Sequence, residues 1–203
     1  MPASPERSRD RAVRRDALEN REKILRTAAE LMASRGHNVP LTDIADAAGV
    51  GVGTFYRGFA DRAALLGELQ RRGYELLLAT LARIAADGLT GAEAIESYLL
   101  ECLNLADQLV AMPLRGAEQL RDDAAIQARR QVLGAITKFL AQGQADGSIR
   151  DDVDASDIAV CGTLIASPLP ATADWPSAAR RHIVTFVRGL RTNGGARRGA
   201  KGV

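Results

Sequence analysis

Residues 40–59, PLTDIADAAGVGVGTFYRGF, carry the side chains best suited to a chemical task, and that task is gripping a polyanion. Arg57 offers a two-pronged donor that fits a guanine edge or a phosphate, and Thr54 can donate to a phosphate or touch a thymine methyl. A helix beginning at Gly53 presents its first N–H groups to an anion. Taken alone, Arg57 and Arg62 read equally well as solvated charges, and Tyr56 and Phe59 as core aromatics. Their surroundings decide. Ile44, Ala45 and Ala48 give one short helical piece a packing face, Gly49 suits a tight left-handed turn, and Val50 can plug the hydrophobic centre. Helices below roughly 12 residues are marginal alone, so these two pieces must be held against each other and against neighbours. That is the physics of a helix-turn-helix, which frees its second helix to enter a DNA major groove.

Catalysis finds less support. His37 sits beside a turn and His182 on the last helix, neither with a Cys or carboxylate in a catalytic arrangement. GxSxG, P-loop and GxGxxG motifs are missing, and GVGVG lies between helices with no strand before it. Cys102 and Cys161 show no CxxC or zinc spacing and read as small core hydrophobes. No catalytic residue, metal or cofactor is therefore expected, and a helical enzyme is the remote alternative.

The elements that position these residues are all helical, because no segment alternates apolar and polar residues with β-branched enrichment. Residues 1–16 read as a disordered basic arm. A first helix is expected from about Asn20 to Arg35, with Ile24, Ala28, Leu31 and Met32 on one face and Gly36 as its stop. Short helices at about Leu41–Ala48 and Gly53–Arg57 follow. A longer one, capped by Asp61, runs to about Ala86. Further helices are expected at Gly91–Val110, Arg115–Arg121, Ala124–Ala145, from Asp154 or Ser156 to Ala166, and from Asp174 to Arg191. The last has Pro176 in its first turn. The chain thus divides into an arm (1–16), a DNA-binding domain (17–77), a ligand-binding and dimerisation domain (78–192) and a disordered tail (193–203).

With 203 residues, 46% of them apolar, the core needs no metal or disulfide to hold it. A net charge of +2 would not flag a nucleic-acid binder, but its distribution does. Five arginines crowd the first fifteen residues, and no acid follows Asp174, whereas residues 63–187 hold 11 basic and 16 acidic side chains. Basic ends around an acidic middle suggest that the ends, not the body, meet a polyanion; the alternative is two solvated tails that aid solubility, and for the Gly- and Ala-bearing C-terminal tail that reading is preferred. No apolar run resembles a leader or a membrane span, so a cytoplasmic protein is expected.

Over residues 17–77 the sequence resembles the tetracycline-repressor (TetR) family. The resemblance rests on Ile24-Leu25, Ala28-Ala29, Leu31, Gly36, Ile44-Ala45, Ala48-Gly49-Val50, Gly53-Thr54, Tyr56, Phe59 and Leu65 at family spacing. It implies an all-α dimer with an N-terminal three-helix DNA-binding domain and a C-terminal helical bundle. It also implies that Tyr56 and Arg62 contact phosphates, and that Val52, Thr54 and Arg57 face base edges or backbone. The sequence departs from the pattern at Pro40, where a capping Ser or Thr is usual and Thr42 stands in, and at Gly51, Gly58 and Ala60.

The C-terminal half matches more weakly. GQADGSIRDDVDASDI resembles a recurrent junction between the seventh and eighth helices of the family. The resemblance implies that the last two long helices pair with a second subunit, and the stripes Ile158, Cys161, Leu164, Ile165 and Ile183, Phe186, Val187, Leu190 are compatible with that or with an internal core. A pocket is expected inside the bundle, with Tyr98, Cys102, Arg115, Gln119, Thr137 and Phe139 as candidates for a hydrophobic or amphipathic effector. The expected partners are therefore double-stranded operator DNA, a second copy of the chain and a small molecule, with no membrane. The function that follows is a repressor released from its operator by a ligand. A constitutive or structural DNA binder is the alternative.

Overall fold

The computed structural model describes residues 5–36, 38–112, 123–167 and 174–192. The described residues form eight helices: α1 (Pro5–Arg35), α2 (Leu41–Ala47), α3 (Val52–Gly58), α4 (Arg62–Ala86), α5 (Gly91–Asn104), α6 (Asp123–Ala145), α7 (Ala155–Ile165) and α8 (Trp175–Leu190). Among them no strand occurs, only one isolated antiparallel bridge between Ile149 and Arg191. The all-α class is as the sequence implies.

Sequence chemistry sets the helix boundaries. The Asp61 carboxylate accepts from the Ala64 amide at 2.8 Å and so starts α4. Thr90 and Glu93 form a reciprocal capping box at α5, and Asp154 with Asp157 does the same at α7. Asp174 caps α8, with Pro176 in the first turn where its missing N–H is harmless.

Two expectations shift. The arm expected over residues 1–16 is helical from Pro5 onward, as the first part of α1. Residues 6–19 contain no Gly or Pro and mix charges of both signs, with Arg15 and Glu19 paired at 3.6 Å one turn apart, and such a segment propagates a helix. The fifth helix, expected to reach Val110, ends at Asn104. Leu109 and Ala111 beyond it are buried, and Ala111 joins the core around Ile24, Phe55 and Phe59. The expected helix at 115–121 lies outside the described residues, as do His37 and the tail.

The described residues fall into two compact units, one within Met1–Gly73 and Asp107–Asp122, the other within Tyr74–Ala106 and Asp123–Val203. In the first, α1 packs on α2 and α3 around Ile24, Leu25, Ala28, Met32, Ile44, Ala45, Phe55, Phe59, Leu65 and Leu69. In the second, α5 is the central helix and packs against α6, α7 and α8. Gly91 and Gly143 let α5 and α6 touch backbone to backbone: a Cβ on Gly91 would sit 2.5 Å from the Phe139 carbonyl oxygen.

Candidate nucleic-acid interface

The turn between α2 and α3 is built as the residue types require. Gly49 has φ +65°, which a side chain would strain, and the Val50 amide then bonds the Ala45 carbonyl at 3.0 Å. Val50 packs on the core, and Ile44 and Ala45 are buried. Pro40 caps α2 without a side-chain bond, and Gly51 does the same for α3.

Helix α3 is anchored through Phe55, which is fully buried and meets Phe59 at 6.1 Å between ring centroids. Three residues before and one after this anchor, the helix faces outward. Val52 and Tyr56 are 45% and 49% exposed, unusual for side chains of their size, and Gly53 and Arg57 are exposed beside them. Positions 52, 53, 56 and 57 share one face at helical spacing. Thr54 is half-buried, and its hydroxyl accepts from Arg57 Nη2 at 3.1 Å while Arg57 Nε donates to the Gly53 carbonyl at 3.2 Å. The guanidinium of Arg57 thus lies along its own helix, within reach of Thr54. Thr42 is exposed on α2. Arg62 lies at the start of α4 and donates from Nη2 to the Val39 carbonyl. The outward face therefore combines two ring or aliphatic surfaces, a phenol, a hydroxyl and a guanidinium, a set able to bond phosphates and touch base edges.

Among the ligand candidates, Tyr98, Cys102 and Phe139 are buried in the second unit. The Tyr98 hydroxyl and the Cys102 thiol are hydrogen-bonding neighbours there. Burial pushes the Cys102 thiol up to about 12 and Cys161 up to about 11, and raises Tyr98 well above the ordinary phenol value. Thr137 does not join them: it is exposed on α6, and its hydroxyl donates back to the Leu133 carbonyl at 2.8 Å. Arg115 and Gln119 lie outside the described residues.

The eight residues on α7 and α8 separate likewise. Ile158, Cys161, Ile165, Ile183, Val187 and Leu190 are buried within the chain itself, Phe186 is half-buried, and Leu164 is 52% exposed. Val160, one turn before it, is exposed at 54%, and Val184 on α8 is exposed at 48%. A groove of about 530 Å³ runs between the two helices, lined by Val160, Leu164, His182 and Phe186 and edged by Arg150 and Asp152. Among the described residues no helix is long and apolar enough to cross a membrane.

Comparison with known proteins agrees with this geometry. Residues 24–69 match the family described as bacterial regulatory proteins, tetR family, and residues 91–192 match the SbtR-like transcriptional regulator C-terminal domain. An HTH-type transcriptional regulator of Staphylococcus aureus strain USA300 is 31% identical over 93 residues, covering 44% of this chain and 50% of that protein. The match thus spans about half the length of such curated relatives. The TetR transcriptional regulator SCO0520 of Streptomyces coelicolor is 28% identical, with 86% of this chain and 99% of that one covered at a TM-score of 0.59. The ketosteroid transcriptional regulator KstR2 of Mycobacterium tuberculosis shares the fold at 22% identity and a TM-score of 0.66, with 85% and 95% covered.

Proposed function

The chain belongs to the tetR family of bacterial regulatory proteins, a family of DNA-binding transcription regulators, and from that premise we propose that it is a homodimeric repressor, working in the cytoplasm, that a small hydrophobic or amphipathic molecule releases from operator DNA. The observation that carries the reading is α3 itself: one face is locked into the core by Phe55, and the other holds out Val52, Tyr56 and Arg57, which are exposed among the described residues. A helix placed so is suited to a major groove.

Dimerisation follows from what one such helix can read. Seven residues cover too few base pairs, and two-fold operators are read by two-fold proteins with recognition helices about 34 Å apart. Val160 and Leu164 on α7, which line one groove with Phe186 on α8, offer apolar surface for the second copy.

The effector class follows from the second unit, whose centre is apolar and aromatic around Tyr74, Tyr98, Leu99 and Phe139. A ligand can release DNA only if it favours a state in which the two α3 helices are badly spaced. Helix α4, continuous from Arg62 to Ala86, belongs to the first unit at one end and the second at the other and is the lever. A coupling of about 1–3 kcal/mol weakens operator binding roughly 5- to 150-fold, and by reciprocity DNA weakens the ligand equally.

The experiment is a mobility shift on DNA flanking the gene, followed by a thermal-shift screen of small apolar molecules and titration of each hit against free protein and operator complex. A discrete footprint and unequal affinities support the reading. Equal affinities leave a constitutive binder, and broad coating of DNA leaves a structural one.

A further inference from the structure

A cluster of charges in the first unit ends at the exit of α3. Arg21 on α1 donates from Nη1 to the carbonyl of Gly58, the last residue of α3. Its Cζ lies 4.2 Å from the centroid of the Phe59 ring, and its Nη2 lies 3.5 Å from Glu68 Oε2 on α4. One planar guanidinium therefore meets the C-terminal carbonyl of α3, the aromatic face of the next residue and a carboxylate on α4. Each contact favours a cation there.

The far side of the cluster is also tied. Glu68, only 15% exposed at its side chain, accepts from Arg71 Nη2 at 2.6 Å and from Arg72 Nε at 3.4 Å. Arg72 donates through Nη1 to Glu22 Oε2 at 2.8 Å. Adjacent residues of α1, Arg21 and Glu22, thus clamp residues one turn apart on α4, Glu68 and Arg72. Glu68 has its carboxyl held below the ordinary value by these partners, Arg71 first.

We propose that Arg21 is a positioning residue for DNA recognition: bound to Gly58 and Phe59 and braced by Glu68, it fixes the angle at which α3 presents Tyr56 and Arg57. The inference rests on the DNA-binding reading of α3. It says that α3 is aimed from behind, by a side chain that touches no base. Tyr56 and Arg57 lie two and one residues before the carbonyl that Arg21 holds, so a small rotation at Gly58 moves both. Recognition geometry tolerates only about half an ångström of such freedom. Lysine cannot take the role, because an ammonium point charge lacks the planar fork that serves three partners together.

The test uses a duplex selected from a random pool by the wild-type protein and a scrambled duplex of equal length. Dissociation constants for Arg21→Lys, Arg21→Gln and Glu68→Gln are measured across a salt series, at a temperature where thermal unfolding shows each variant folded. The expected result is binding to the selected duplex weakened about tenfold in the Arg21 variants and in the same direction in Glu68→Gln, with scrambled binding and salt slope as in wild type. A slope lower by about one charge in Arg21→Gln makes the residue a phosphate contact and overturns the inference. So does wild-type affinity in the folded variants, whatever their melting temperatures. Should Arg21→Gln fail to fold, Arg21→Lys and Glu68→Gln decide by the same two readouts. A wild-type protein that enriches no duplex removes the DNA-binding reading itself, a result distinct from any of these.

Discussion

The guanidinium of Arg62, the first residue of α4, donates to the carbonyl of Val39, two residues before α2 begins. The side chain assigned by family likeness to a phosphate thus also fastens the fourth helix to the entrance of the helix-turn-helix. Arg62→Ala is expected to act twice. It should lower stability by about 1.5–3 kcal/mol at most, the range for a hydrogen bond involving a charged group. It should also weaken DNA binding on all sequences and reduce the salt slope by about one. Melting curves and titrations at several salt concentrations separate the two effects. A changed base preference with an intact slope would contradict the phosphate role.

Tyr56 offers a cleaner subtraction. Its ring stands edge-on to Phe55 at 5.7 Å and it is half exposed. Tyr56→Phe keeps the ring and removes only the hydroxyl, so the melting temperature should hold while affinity falls several-fold on matched and mismatched DNA alike. Loss confined to matched DNA would place the hydroxyl on a base.

Leu164 and Ile165 are neighbours on α7 with opposite surroundings, 52% and 1% exposed. Leu164→Glu should therefore leave the subunit folded but shift sedimentation from dimer to monomer. Ile165→Ala should destabilise the subunit by about 2–5 kcal/mol through lost packing. A Leu164→Glu protein that stays dimeric at micromolar concentration would move the interface elsewhere.

The two thiols make a chemical prediction. With Cys102 at about 12 and Cys161 at about 11, almost no thiolate exists near neutrality. Alkylation by iodoacetamide at pH 7.5 should be far slower than in urea-unfolded protein. Rapid native-state labelling of Cys102 would show that its core opens readily.

What the sequence made legible was what local chemistry determines. Gly49 announced its turn, Asp61 its cap, and the spacing of residues 44–59 the helix-turn-helix, because each depends on a few neighbours in the chain, while of the two caps open for α7 the structure takes Asp154. Tertiary competition was not legible. Periodicity marks Ile158 and Leu164 alike as apolar, and only packing on α5 shows that the first is consumed internally. Thr137 looked like a pocket residue until α6 was oriented. Residues 5–16 read as an arm because their charge masks a helix that local propensity and ion pairing support. Arg21 and Glu68 gave no signal, since 47 positions separate two ordinary surface types that the fold brings to 3.5 Å.

That cluster makes stability depend on pH, and the sign follows from its carboxylates. Glu68 lies below its ordinary value of 4.5 chiefly through the hydrogen bond from Arg71, and Glu22 through that from Arg72. Both are thus stronger acids folded than unfolded. Just below pH 4.5 the unfolded chain binds more protons than the native one, so stability rises with pH through this window. Their contribution is complete above the unfolded value and is lost as pH falls through the folded values. Hydrogen exchange of the α3 amides should therefore quicken between pH 5 and pH 3 beyond what a thermodynamically silent titration gives, once corrected for intrinsic rates. Glu68→Gln should flatten that dependence more than Glu22→Gln, because the Glu68 side chain is 15% exposed and that of Glu22 60%, where water screens the pair. Equal steepness in Glu68→Gln and wild type would assign the acid sensitivity of this unit to other carboxylates.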